Sequence, residues 1–405
     1  MDRGRPRGFS GAADPAEEYP LSRINTPWRA VAAAFALNGF LMGSWASRVP
    51  AVMEKHGLGE GALGLQLLVM GVGALISFPV AGRMADRVGA VGVTRVLAGL
   101  YLVSIVLIGL APGTVVLGAA LFFYGMTHGA MDVTMNAWAT EVEKAMARPV
   151  MSSFHAMWSL GAGAGAGLGF LAARQDLPVV AHFALVSLLA AVLLAPFLAL
   201  SWSSATRPAG GSDPVFALPK GPLVLVGVIA LSAGLGEGAV ADWSAVFLRD
   251  TLGTSEAQAT LGYAALALTM VAMRLCADGL VRRMGAVTVA RVSGGIAAAG
   301  VLCVTGLNSL PAVLAGFALM GMGYAALVPL AFSRAAADPL VPPGQGIASV
   351  ATLGYGAMLL GPPLIGQIAE LASLRLAFVM LGGFALTVAV LAPVLGTGVA
   401  RDQAA

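Results

Sequence analysis

The chain has 405 residues, of which 58% are hydrophobic and only 11% are charged, and its mean hydropathy is +0.85. Soluble domains carry about 25% charged residues, so this composition argues against a soluble enzyme and for a protein covered by lipid. Two cysteines are too few for a disulfide scaffold or a cysteine-ligated zinc site. The composition therefore predicts a polytopic membrane protein.

The first 27 residues are polar and rich in proline and glycine, which predicts a disordered cytoplasmic tail (1–27) and not a signal peptide. A helix needs about 20 apolar residues to cross a membrane. Division of the charge-free runs beyond this tail into segments of that length predicts an all-α protein with twelve transmembrane helices. We place them at about 28–50, 60–82, 90–111, 115–138, 150–173, 178–201, 222–247, 257–280, 286–307, 311–332, 345–369 and 373–396.

A polar stretch at residues 202–221 lies at the midpoint of the chain and is the natural cytoplasmic linker between two halves. It separates a six-helix bundle at 28–201 from a second one at 222–396. Residues 397–405 form a second cytoplasmic tail.

The lysine and arginine positions predict the orientation, if the helices alternate in direction from a cytoplasmic N-terminus. Eighteen of the 23 basic residues then lie on the cytoplasmic side, with Arg274 near the inner end of helix 8 among them. This asymmetry predicts a multi-pass protein of the cytoplasmic (inner) membrane with both termini in the cytoplasm. Because the basic residues are spread over many loops, the sequence argues against a nucleic-acid partner.

The two halves repeat each other at a nearly constant offset. Trp45 recurs as Trp243 after 198 residues, and Gly125 recurs as Gly321 after 196. Repeats of six helices place a binding site at the middle of the membrane, between two halves that rock around it.

The segment Gly82-Arg-Met-Ala-Asp86-Arg87-Val-Gly89 follows predicted helix 2. It resembles the G-x-x-x-D-R-x-G signature of the major facilitator superfamily, and the resemblance implies the major facilitator fold of two pseudo-symmetric six-helix bundles. The alternative interpretation is an ordinary positively charged loop. With its weaker repeat in the second half, the segment predicts a cytoplasmic gate formed by Gly82, Asp86, Arg87, Gly89, Asp278 and Arg282.

Several segments resemble the bacterial YbjJ-type inner-membrane permeases, a branch similar to the fucose permeases. They are Ser44-Trp-Ala-Ser-Arg48-Val-Pro50, Asp132-Val-Thr-Met-Asn136, Phe154-His155-Ala-Met-Trp-Ser-Leu-Gly161, Glu237-Gly-Ala-Val-Ala-Asp242-Trp243 and Gly361-Pro-Pro-Leu-Ile-Gly366. The resemblance implies a facilitator with sugar-like or polyol-like substrates. Fucose-permease relatives are expected to carry an acid in helix 1, where this chain has Asn38 instead.

Ionisable residues inside membrane helices are rare because each costs at least about 2.5–3.5 kcal/mol. On helix 4, His128, Asp132 and Asn136 share one face at i, i+4 and i+8. We interpret Asp132 as a protonatable carboxyl and expect a hydrogen bond from His155 on helix 5 to tune it. The alternatives are a structural polar cluster between helices 4 and 5 and a structural histidine.

Glu237 lies near the centre of helix 7 between glycines that weaken the helix, which suits a proton-linked carboxyl in a moving element. The alternative is an anchor between the halves. Asp242, on the same helix, is expected to pair with Arg48 and close the outer side. Alternatively, Arg48 extends to the headgroups and Asp242 faces water. The expected substrate-cavity residues are Asn38, His128, Asn136, Trp158, Tyr324 and Tyr355.

Together these features predict a secondary active transporter, a proton-coupled symporter that takes up a small polar solute. An exporter or antiporter of a metabolite or drug is the alternative, and a non-transporting membrane sensor is the alternative of another class. No sequence motif of a metalloprotease, serine hydrolase or ATP-hydrolysing pump is present. We therefore expect no enzyme activity, no cofactor and no metal, and a monomer whose partners are the solute, H+ and lipid.

Overall fold

The computed structural model describes residues 26–147, 150–204, 206, 218–341 and 343–396. Residues 1–25 of the predicted tail at 1–27, the predicted tail at 397–405 and most of the predicted linker lie outside these residues, and α1 already begins at Pro27. The described ranges are almost entirely helical and contain no strand. The main helices are α1 (Pro27–Ser47), α2 (Glu60–Val88), α3 (Ala90–Leu110), α4 (Thr114–Met146), α5 (Met151–Arg174), α6 (Val179–Leu193), α7 (Pro222–Val246), α8 (Leu261–Met284), α9 (Ala286–Gly306), α10 (Leu310–Ala336), α11 (Pro343–Leu371) and α12 (Leu374–Leu391).

Short helical pieces extend or interrupt this pattern. Val49–His56 follows α1, a wider π-type turn at Phe247–Thr251 continues α7, and Glu256–Ala259 precedes α8. Helix α10 consists of two pieces, Leu310–Tyr324 and Leu327–Ala336.

Eleven of the twelve helices are long and apolar enough to cross a membrane, while α6 has only 15 residues. The predicted helix at 178–201 is shortened because its continuation contains Pro196, which lacks a backbone N–H; the helix resumes only for Ala195–Leu198. The chain is therefore an all-α membrane protein in which α6 is apolar but shorter than the other eleven candidate spans among the described residues.

The helices of each half pack in the same order. Helix α1 packs along α5 and α2 along α4 in the first half, and α7 packs along α11 and α8 along α10 in the second. The prediction of two pseudo-symmetric six-helix bundles is therefore confirmed.

Glycines bring α1 and α5 into backbone contact. A Cβ atom at Gly43 would lie 1.9 Å from the carbonyl oxygen of Ala162, and one at Gly165 would lie 2.1 Å from that of Phe40. Without side chains at these positions the two helices approach closely enough for van der Waals packing, which drives association where lipid removes the hydrophobic effect.

The repeat extends to individual contacts. A Cβ at Gly125 would lie 1.9 Å from the carbonyl oxygen of Met70, and one at Gly321 would lie 2.5 Å from that of Leu266. Gly321 and Leu266 lie 196 residues after Gly125 and Met70, so the two contacts occupy equivalent positions in the two halves. The turns after α2 and α8 also correspond, because Gly89 and Gly285 both adopt positive φ (91° and 78°), which favours glycine.

We expect Gly125→Ala and Gly321→Ala each to lower the melting temperature of the purified protein in detergent. The added methyl group would overlap a backbone carbonyl that cannot rotate away, and overpacking costs about 1–3 kcal/mol. Gly99→Ala is the matched control, because no atom lies within 4 Å of a Cβ at this exposed position on α3. Equal melting temperatures for all three variants would contradict the interpretation.

Candidate functional site

A cavity of about 300 Å³ lies between the two halves, at the lower end of the range of small-molecule sites. Its walls come from α1, α2, α4 and α5 of the first half and from α7, α8, α10 and α11 of the second. Most of the lining is apolar. The lining residues with a polar group are Tyr124, His128, Trp158, Glu237, Asp242, Trp243, Tyr263 and Tyr355.

One end of the cavity is closed by backbone contact between α2 and α11. A Cβ at Gly64 would lie 2.9 Å from the carbonyl oxygen of Pro362, and one at Gly366 would lie 2.6 Å from that of Glu60. We call this the closed end. Small residues therefore bring these two helices, one from each half, into backbone contact.

An ion pair adds to the closed end. Arg48, only 3% exposed, places its Nε 3.0 Å from Glu256 Oε1, and its Nη2 donates a hydrogen bond of 2.9 Å to the carbonyl oxygen of Leu177. Arg249 donates a hydrogen bond of 2.7 Å to the carbonyl oxygen of Pro50. This hydrogen bond and the Arg48–Glu256 ion pair each join the first half to the second.

The predicted pair between Arg48 and Asp242 is wrong in this structure. Glu256 begins the short helix before α8, where a capping box of Ser255 and Gln258 holds the chain in position, and this brings its carboxylate to Arg48. Asp242 instead lines the cavity.

Glu237 contacts a basic residue that sequence reasoning placed elsewhere. Arg274 Nη2 lies 3.5 Å from Glu237 Oε1, and Arg274 Nη1 lies 2.6 Å from Ser159 Oγ on α5. The guanidinium thus joins α7 and α8 of the second half to α5 of the first. The ion pair is partly buried, with 16% of the Arg274 side chain and 24% of the Glu237 side chain exposed.

The assignment of Arg274 to the cytoplasmic interface is wrong because α8 continues to Met284. Arg282 lies eight residues further on, which is about 12 Å along the helix axis. Arg274 therefore lies about two turns deeper along α8 than the pair Arg282 and Arg283, and that spacing is the signal that could have identified it.

The structure does not bring Asp132 and His155 together. Asp132 Oδ1 accepts a hydrogen bond of 3.3 Å from Asn136 on its own helix, and His155 packs edge-on against Phe35 with ring centroids 5.2 Å apart. Within the part of the chain that is described, no Asp132–His155 hydrogen bond forms, because the glycine contacts draw α5 towards α1. Asp132 and Asn136 are half-buried outside the cavity lining.

Asn38 and Trp158 meet across the α1–α5 contact. Trp158 Nε1 donates a hydrogen bond of 2.8 Å to Asn38 Oδ1, and Trp158 lines the cavity while Asn38 is fully buried behind it. His128 also lines the cavity, and its Nδ1 lies 3.0 Å from the hydroxyl of Tyr101, a buried residue of α3 that sequence reasoning missed. Tyr101 in turn donates to Tyr124, so the ring of His128 is held from behind.

The two predicted cavity tyrosines have different positions. Tyr355 lines the cavity and its ring lies 4.5 Å from that of Phe78, across the boundary between the halves. The structure places Tyr324 elsewhere, against α7, where a Cβ at Gly236 would lie 2.1 Å from the tyrosine ring. Tyr324 therefore fills a helix–helix contact and does not line the cavity.

The segment predicted as a gate loop is mostly helical, because α2 continues to Val88 and only Gly89 forms the turn. At the start of α3 the backbone N–H of Val91 donates a hydrogen bond of 3.1 Å to Ser204 Oγ, so Ser204 caps this helix. Among the described residues, Asp86 and Arg87 form no ion pair. Their counterparts Asp278 and Arg282 are exposed on α8.

Comparison with known proteins agrees with this architecture. The family model described as Major Facilitator Superfamily matches residues 31–339 and 226–403. A Sinorhizobium fredii protein named "Uncharacterized transporter y4wD" is 55% identical over 375 residues, which are 93% of this chain and 100% of that protein. An uncharacterised MFS-type transporter of Yersinia pestis is 35% identical over 357 residues, 88% of this chain and 92% of its own.

Among solved structures, the crystal structure of the nucleoside transporter NupG superposes with a TM-score of 0.70. It covers 93% of this chain and 99% of that chain at 11% sequence identity, which is a likeness of fold. The relatives, the matching family and the two pseudo-symmetric bundles agree with one another: the chain belongs to the Major Facilitator Superfamily and is a membrane transporter of that type.

Proposed function

We propose that this transporter works by alternating access and couples the uptake of a small polar, sugar-like or polyol-like solute to H+. The observation that carries the proposal is the central cavity, closed at one end and bridged by Arg274 between the halves. A site at the repeat interface, with each half able to move as a unit, is what alternating access requires.

The contacts at the closed end suit a reversible gate. They consist of glycine approaches and of the Arg48–Glu256 pair, which can separate as the halves rotate without unfolding a helix. If both termini are cytoplasmic, as the basic residues predict, the closed end faces away from the cytoplasm. The arrangement would then be the inward-facing one, in a bacterial inner membrane and in a monomer.

Two carboxyl groups support coupling to protons. Protonation of Glu237 removes the charge that attracts Arg274, so the guanidinium is released from α7 while it still bonds to Ser159. Asp132 remains our principal proton-linked carboxyl. Its only described hydrogen bonds lie within α4, so a change of its charge need not break the bundle.

The aromatic rings of Trp158 and Tyr355 on opposite walls support a ring-shaped solute, because sugar faces stack on aromatic side chains. The resemblance to YbjJ-type permeases near the fucose-permease branch points to the same class. The largely apolar lining favours a second candidate, export or antiport of an amphiphilic metabolite or drug.

Uptake of labelled sugars and polyols into proteoliposomes, with and without a pH gradient, tests the proposal. Accumulation that requires an inward proton gradient supports symport. Gradient-driven loss of a preloaded solute supports the exporter instead, and an absence of any flux overturns the transport mechanism.

Asp132→Asn should abolish accumulation driven by a pH gradient but leave counterflow exchange intact, because the amide keeps the shape of the side chain and cannot release a proton. Asp176→Asn is the control, since Asp176 is exposed at the α5–α6 turn with positive φ (50°), which asparagine tolerates. Accumulation by Asp132→Asn at the rate of the control would contradict this role.

Reversal of either charge at the closed end should open it. Arg48→Glu and Glu256→Arg should each speed labelling of a Met42→Cys probe by an impermeant maleimide, because each change replaces the ion pair with two like charges that repel each other. The probe is placed in a chain whose Cys276 and Cys303 are replaced by serine.

The double reversal, Arg48→Glu with Glu256→Arg, should recover slow labelling in part. Arg48→Asp with Asp242→Arg is the matched control and should not recover it, because Asp242 lies away from Arg48 in the structure. Equal behaviour of the two double variants would overturn the assignment of Glu256.

The gate residues of α2 yield a separate prediction. If Asp86 holds the two halves together at the cytoplasmic end in the outward-facing state, loss of its charge biases the equilibrium towards the inward-facing state, and Asp86→Asn should raise labelling of a Phe332→Cys probe about fivefold. Unchanged labelling, with Asp176→Asn as the reference, would show that Asp86 does not hold an outward-facing state.

A further inference from the structure

Asp242 is a buried carboxyl without a hydrogen-bond partner among the described residues. It lies on α7, is only 6% exposed and lines the cavity, and its Oδ1 makes no hydrogen bond to any described residue. Burying an unpaired carboxylate is costly, so a group in such a position either carries a proton or takes a donor from a ligand.

The two arginines that form ion pairs with Glu237 and Glu256 are already engaged. Arg274 contacts Glu237 and Ser159, and Arg48 contacts Glu256 and Leu177. The described lining itself includes two carboxyl groups and no lysine or arginine. Such a cavity disfavours an anionic solute and attracts a cationic one, because its low-dielectric walls focus the field.

Aromatic rings complete the environment of Asp242. Tyr124, Tyr263 and Trp243 belong to the same lining. The faces of such rings attract ammonium groups, and the attraction is larger where water is excluded. An ammonium group also offers three hydrogen-bond donors to a carboxylate that has none.

We propose that Asp242 binds a protonated amine on the transported solute. This inference rests on the proposed function and narrows its substrate class to solutes that carry an amino group. The solute then supplies the cation that the protein lacks at this point, and a neutral analogue of the same shape leaves the carboxyl unpaired.

Binding of amines and of their neutral analogues to the purified full-length protein in detergent tests the role of Asp242 without a transport assay. Glucosamine, glucose and glucuronate share one ring and differ in charge; phenylethylamine and phenylethanol form a second pair with an apolar skeleton. In thermal-shift titrations, we expect the amine of at least one pair to bind about tenfold more tightly than its alcohol. Glucuronate should bind most weakly of the three sugars.

Asp242→Asn should remove the preference for the amine, whereas Asp242→Glu, which keeps the charge, should retain it in part. Asp176→Asn is the control and should keep the full preference. Amines that bind no better than their alcohols, or a preference that survives in Asp242→Asn, would overturn the inference. Because binding in detergent needs no gradient, this result is distinct from a failure of proton-driven uptake.

Discussion

Backbone contact between helices at glycine is the interaction on which the rest of this structure depends. Within hydrocarbon, helices gain little by burying apolar side chains against each other, so close packing of backbones holds each half together. The α1–α5 contact places Trp158 against Asn38 and turns His155 towards Phe35. The same geometry between α2 and α4 and between α8 and α10 makes each half a rigid unit, which lets a cavity persist between them.

A charged group buried within such a unit needs a partner of opposite charge or a hydrogen bond. The guanidinium groups of Arg48 and Arg274 each contact one carboxylate and one uncharged oxygen. In each case one of these contacts crosses the boundary between the halves. Their pairing therefore depends on the relative position of the bundles, so a change in charge is also a change in conformational preference. Asp242 differs because no described residue provides its partner. In our proposal, the positive charge that pairs with this carboxyl is supplied by the solute.

The two ends of the cavity are built differently. At the closed end, small residues of α2 and α11 touch through their backbones and an ion pair lies beside them. At the opposite end, where α2 and α8 end, the charged residues Arg87 and Arg282 are exposed. The two halves have equivalent turns at that end, since Gly89 and Gly285 both adopt positive φ.

Composition and the spacing of apolar runs were sufficient for the helices and the two halves, because a bilayer imposes one helix length on every span and a duplicated half repeats its glycines. The family was indicated separately, by the resemblance of the Gly82–Gly89 segment to a known signature. The same information was insufficient for the partners of the charged residues. Glu256 rather than Asp242 meets Arg48, and Arg274 lies beside Glu237, because rotation and depth of a helix depend on which faces glycine lets touch. Those contacts join residues far apart in the chain. The residue pattern of one helix does not specify which residues of the neighbouring helix it will contact.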